Sequence, residues 1–148
     1  MNMRFALLGV AMLLVTSCRV AAVGPPDIVV DRTPCSHCGM LISEPVYAAA
    51  YETAGGETRV FDDFGCLRNA VRAEGVVPAR VWVHDATSAE WMDGGAAAFV
   101  ASQEIRTPMG GGVLAYRRVE DAERAAAKHK GRIVRSLREL LDSKEAGS

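Results

Sequence analysis

The sequence has no excess of charge of either sign and few aromatic side chains. Lys and Arg number 17 against 18 Asp and Glu, the formal net charge is −1, and Phe, Trp and Tyr make up 6% of the chain. A nucleic-acid surface needs clustered Lys and Arg to neutralise phosphates, and this composition offers no such footprint. The same balance excludes a basic face for anionic membranes. Beyond the N-terminal segment, no apolar run nears the roughly 20 residues that a helix needs to cross a bilayer. No internal repeat is visible. No nucleophile, base and oxyanion donor form a recognisable constellation, so hydrolytic chemistry has no support and the chain does not read as an enzyme.

What is present begins with an address. Arg4 supplies a positive start, Phe5 to Leu14 is apolar, and the run is too short to span a bilayer, so residues 1–17 read as a signal peptide. Val15-Thr16-Ser17-Cys18 resembles the bacterial lipobox, an aliphatic residue and two small ones before the modified cysteine. Cys18 is then the diacylglyceryl-bearing first residue of the mature protein. Residues 18–26 are small, Gly- and Pro-rich and without periodicity, as a tether should be. The expected location is the periplasmic face of a bacterial membrane. Arg19 in place of Asp after the lipidated position favours the outer membrane of a Gram-negative host. The remaining chain, about 130 residues, suits one compact domain.

Along that domain, Asp27 to Asp31 is short and β-branched and reads as a strand delivering the chain into a cysteine cluster. Val46 to Glu52 and Glu57 to Phe61 flank a Gly-rich loop and form a hairpin pattern. Asp62 or Asp63 caps a helix to about Glu74, with Phe64, Leu67, Ala70 and Val71 at helical spacing and Cys66 in its first turns. Arg80 to His84 and Val113 to Arg117 read as strands, and Ala89 to Met92 as a shorter one. The state of Ala96 to Ala101 is undecided by pattern. Val119 to Asp142 reads as helix with a break near Gly131. The organisation is a domain over 27–118 followed by a C-terminal helical extension over 119–148.

The chemistry concentrates in residues 35–40, Cys-Ser-His-Cys-Gly-Met. With Cys18 lipidated, three thiols remain, Cys35, Cys38 and Cys66, and an odd number cannot be fully paired in an oxidising compartment. CxxC spacing suits one shared metal ion, thiol–disulfide exchange, half a zinc knuckle or a structural disulfide. A closed zinc site needs four ligands, which Cys35, Cys38, Cys66 and His37 or His84 supply on paper. Thioether sulfur shifts the balance, because soft ligands favour Cu(I). Met40 follows the second thiol by two residues, and Met109 is the one large side chain in Thr107-Pro108-Met109-Gly110-Gly111-Gly112. Met also fills core gaps, Cys66 is either a third thiol ligand or a small core residue, and His37 is either a ligand or an exposed turn histidine.

Together, the lipobox at Cys18, Cys35-Ser36-His37-Cys38-Gly39-Met40, Phe61-Asp62-Asp63-Phe64-Gly65-Cys66 and Thr107-Pro108-Met109-Gly110 resemble the NosL family of lipoprotein copper chaperones, accessory to nitrous oxide reductase. The resemblance covers about residues 18–118. It implies a small α+β domain built on ββα units that binds one Cu(I) and passes it to nitrous oxide reductase or its ABC-type maturation complex. Carried over by position, it implies Cys35, Cys38, Met40 and Met109 as metal-site residues, with His37 and Cys66 as further candidates. The anchoring expectation has a direct check: Cys18→Ala should move the protein from the membrane fraction to the soluble periplasmic fraction, and unchanged sedimentation with membranes would refute lipidation at Cys18.

Overall fold

A computed structural model describes residues 24–144; the expected signal segment, Cys18, residues 19–23 of the expected tether and residues 145–148 lie outside that range. Among the described residues, seven strands and three α-helices follow in the order β1 (Ala49–Glu52), β2 (Thr58–Phe61), α1 (Phe64–Glu74), β3 (Arg80–His84), β4 (Trp91–Asp93), β5 (Ala98–Ala101), β6 (Val113–Tyr116), α2 (Val119–Lys128), β7 (Arg132–Val134) and α3 (Leu137–Asp142). The strands form two antiparallel sheets of order β2-β1-β3-β4 and β6-β5-β7. The α+β class and the ββα units are as expected.

The topology repeats although the sequence does not. Each half runs strand, strand, helix, strand, and in each the strand after the helix pairs with the first strand of its hairpin. The two sheets are joined where Asp85 bridges Ala115 and the Ala86 N–H donates to the Ala115 carbonyl at 2.8 Å. One core spans both halves: Tyr51 meets Phe61 with ring centroids 5.3 Å apart, Phe64 meets Phe99 at 5.6 Å, and Leu67 and Leu140 are fully buried among them. Ala122, Ala125 and Ala126 let α2 lie close against Val100 and Tyr116 in a second cluster.

Two expectations are corrected, and one stretch that pattern left open takes a definite state. Asp27 to Asp31 is not a strand: Val29 and Val30 stay exposed, the Val29 carbonyl accepts from Arg32 and Thr33, and Asp31 turns at φ 57°. β-branched residues favour a strand only where a partner covers them. Residues 96–101, undecided by pattern, contain β5, the central strand of the second sheet, all four of its residues buried. A strand covered on both faces has no alternation to read.

The second correction concerns 119–142, which is not one helix with a break but α2, then β7, then α3. Phe99 pairs with Val134, Val100 with Ile133 and Ala101 with Arg132, so the free edge of β5 takes up the chain as a strand. Gly131 makes this possible, since a Cβ there would lie 2.7 Å from Val100 Cγ1 and 3.1 Å from the Ala101 carbonyl oxygen. Ser136 then caps α3 by accepting from the Glu139 N–H.

His84, at the end of β3, is buried, with Nδ1 3.0 Å from the Ala48 carbonyl oxygen and its ring 3.7 Å from that of Trp91, centroid to centroid. Burial pushes its pKa below the usual histidine value, and the Ala48 carbonyl only partly opposes this. As pH falls through about 6.5, the unfolded chain takes up a proton at His84 that the folded chain refuses. Stability therefore drops, and keeps dropping until the folded-state pKa is reached. Urea denaturation of the parent should lose up to about 1.4 kcal/mol per pH unit more than His84→Gln across that window. Parallel pH profiles for the two proteins would contradict it.

Candidate metal centre

The cysteine turn is a closed loop fastened to the edge of the first sheet. Pro34 bridges Leu41, the Cys35 N–H donates to the Met40 carbonyl at 2.8 Å, and the Gly39 N–H donates to the Cys35 carbonyl at 2.9 Å. Gly39 sits at φ 75°, the left-handed region that a side chain disfavours. Ser36 pins the loop to β2: its N–H donates to the Val60 carbonyl at 2.8 Å and its Oγ accepts from the Val60 N–H at 3.3 Å. One residue later the strand ends at Phe61, and the chain turns through Asp62 and Asp63 into α1. That short path brings Cys66 under the loop.

Asp63 then fastens the second half of the molecule to the first. Fully buried, it caps α1 by accepting from the Cys66 N–H at 2.9 Å through Oδ1. Its Oδ2 accepts from Thr107 Oγ at 2.6 Å, the Gly111 N–H at 2.9 Å and the Met109 N–H at 3.2 Å. The glycines answer a steric demand: a Cβ on Gly65 would lie 2.7 Å from Gly111 Cα, and one on Gly111 2.6 Å from Gly65 N. The β5–β6 loop is thus clamped backbone to backbone on the start of α1. Met109 projects from it 40% exposed.

The Sγ atoms of Cys35, Cys38 and Cys66 lie within 4.8 Å of one another. Cys35 and Cys66 are buried, Cys38 is exposed, and none is in a disulfide. Cys38 and Cys66 open onto a depression of about 370 Å³ that His37, Arg68, Met109 and Lys144 also border. The Cys66 thiol donates to Cys35, and with the backbone N–H groups of Cys38, Asp62 and His37 it holds the Cys35 thiol well below the ordinary thiol range. Giving that hydrogen bond, together with burial, pushes the Cys66 thiol up. Of the two buried thiols, Cys35 is the one whose thiolate is favoured. Asp62 lies beside it, buried, its Oδ1 without a hydrogen-bond partner, and its pKa is raised by burial and then by the charges of Cys35 and Asp63. Such a pocket of negative character favours a cation.

Of the residues expected from the sequence, Cys35, Cys38 and Cys66 come together, and Met109 and His37 border the same depression. Met40 is 57% exposed and is not among the residues lining it. His84 contributes nothing to the cluster, being held by Ala48 and Trp91. The reading of Asp62 or Asp63 as a helix cap captured only half of what Asp63 does. The missed signal is the pairing of two motifs, Asp-Asp-Phe-Gly and Met-Gly-Gly-Gly, whose glycines mark a close approach between segments far apart in sequence.

Asp63→Asn keeps the size but puts an NH₂ group among N–H donors. Hydrogen bonds to a charged group contribute about 1.5–3 kcal/mol each, so the variant should lose at least about 2 kcal/mol in urea denaturation. Amide hydrogen exchange should speed up at Met109 and Gly111 more than in β1. Uniformly unchanged exchange would remove Asp63 from its role as clamp.

Comparison with known proteins follows the same lines. Structurally, the chain is similar to the crystal structure titled the copper chaperone NosL from Shewanella denitrificans, with a TM-score of 0.63 over 75% of this chain and 94% of that one; at 20% identity the likeness is one of fold. No curated protein matches the chain significantly. The family model for NosL matches residues 27–140, which takes in all three motifs and also β7 and most of α3. The chain belongs to the NosL family and, with that family, is not an enzyme.

Proposed function

We propose that the protein is a membrane-anchored periplasmic metallochaperone that carries one Cu(I) on Cys35, Cys38 and Cys66, with Met109 closing the exposed side, and delivers it to nitrous oxide reductase or its ABC-type maturation complex. The observation that carries this reading is the convergence of three sulfurs within 4.8 Å beside a thioether held on a clamped loop. Thiolate and thioether donors suit a soft monovalent ion, and Cu(I) is satisfied by two or three of them. Zinc in a closed structural site asks for four ligands, and His84, one of the two histidines available for a fourth, is committed elsewhere.

Exchange follows from the same geometry. Cys35 and Cys66 are buried, while Cys38 and Met109 face the depression. A recipient thiolate or imidazole can enter from that side before the carrier's exposed ligands leave, so the ion need never be free. Met40, exposed on the outside of the turn, is placed to meet a recipient rather than to hold the resting ion. The buried carboxylate of Asp62 adds attraction for a cation, and the lipid on Cys18 would keep the carrier at the membrane.

Titration of the reduced full chain with Cu(I) against a chromogenic chelator should give one ion per chain. Cys35→Ser with Cys38→Ser should weaken binding at least 100-fold, about 2.7 kcal/mol. Met109→Leu should cost about tenfold with no loss of folding stability, about 1.4 kcal/mol in binding alone. Met40→Leu should slow transfer to a recipient while leaving affinity nearly unchanged. Binding by the double variant as tight as by the parent would end the copper reading, and stoichiometric zinc resistant to chelators would replace it with a structural site.

A further inference from the structure

We infer that Cys38 and Cys35 form a thiol–disulfide exchange pair whose substrate is an external disulfide, so that the reduced turn accepts copper and the oxidised turn refuses it. The gating half of this inference rests on the copper reading; the covalent half does not.

Three thiols share a space of 4.8 Å, yet they differ in access. Cys38 lies exposed on a surface turn, whereas Cys35 and Cys66 are 2% and 3% exposed. An external disulfide therefore reaches Cys38 first. Cys66 is further restrained because it belongs to α1 and its own N–H is fixed by Asp63. Cys35, in contrast, stands at the root of the same closed loop as Cys38, the Gly39 N–H bonded to its carbonyl, so a bond between the two closes within one loop and leaves α1 untouched. The odd number of thiols leaves Cys66 over once the pair forms.

The exchange proceeds in two displacements. The Cys38 thiolate attacks one sulfur of an external disulfide, a mixed disulfide forms on Cys38, and the first external thiolate leaves. The Cys35 thiolate then attacks Cys38 Sγ, the Cys35–Cys38 bond forms, and the second external thiolate leaves. Two electrons pass from the protein to the external disulfide, and the two protons of the protein thiols end on the two released thiols. Oxidation removes two of the three cysteine sulfurs as ligands. Conversely, bound copper occupies the sulfur lone pairs that the first displacement needs, so loading should protect the turn. A lipoprotein in an oxidising compartment would then take copper only after a dithiol reductant has reopened the site.

The test uses the reduced full chain in detergent and oxidised glutathione as the probe, with non-reducing peptide mapping and Cu(I) titration as separate readouts. The map should place the disulfide between Cys35 and Cys38 and leave Cys66 a thiol. Cu(I) affinity should fall at least 100-fold on oxidation and return with reductant. Cys35→Ser should accumulate a glutathione adduct on Cys38, Cys38→Ser should react at least tenfold more slowly, and Cu(I) loading should slow oxidation of the parent at least tenfold. A map showing no disulfide, or one between Cys35 and Cys66, would overturn the exchange pair. An oxidised chain with unchanged Cu(I) affinity, or a loaded chain oxidised at the rate of the empty one, would overturn the gating. If the reduced chain binds no Cu(I), the copper reading fails with the gating while the peptide map still decides the exchange.

Discussion

The carboxylate of Asp63 is the joint on which the molecule turns. It sits fully buried between two halves and accepts four hydrogen bonds, one from the start of α1 and three from the β5–β6 loop. A buried charge is costly unless its lone pairs are filled, and here donors from both halves fill them. The arrangement is self-enforcing: neither half can satisfy the charge alone. Once it is made, Gly65 and Gly111 are in backbone contact, and Met109 has nowhere to be except beside the cysteines.

This joint explains why a repeated topology carries an unrepeated site. Both halves are a hairpin followed by a helix and a returning strand. In the first, the hairpin loop spans only residues 53–57, closed by the Gly56 N–H on the Thr53 carbonyl. In the second, the corresponding loop spans 102–112 and carries Thr107, Met109 and three glycines. The extra length reaches across to the first helix. The helix in turn supplies a capped N-terminus with Cys66 in its first turn, and β2 supplies the anchor for the cysteine loop. One short stretch, Val60 to Cys66, therefore touches every part of the site.

The site is rigid on one side and open on the other. Cys35 and Cys66 are packed in the common core, where the hydrogen bond from Cys66 and nearby backbone N–H groups favour the Cys35 thiolate against the opposing effect of burial. Cys38 and Met109 stand at the surface. Holding an ion needs the first kind of ligand, and releasing it needs the second.

Local patterns decide much of this protein without help from tertiary contacts. The hairpin, α1 with its aspartate cap, β3 and β6 were legible because alternation, helical spacing and capping chemistry act over a few residues. The candidate cysteines were legible because two thiols in CxxC spacing stand beside a histidine and a thioether in six residues. Only the tertiary structure decided the rest. β7 is a strand because β5 has a free edge there and Gly131 lets the chain pass it, although its surroundings favour helix. Asp27 to Asp31 is not a strand because, among the described residues, no strand lies alongside it and, beyond its own turn, only the Asp31 N–H reaches a backbone partner, the Ile42 carbonyl. Cys66 joins the cluster, and Met40 stays outside, because Ser36 and Asp63 fix the angle at which the two loops meet α1 and β2. Those outcomes depend on hydrogen bonds between residues up to 48 positions apart, which no local pattern encodes.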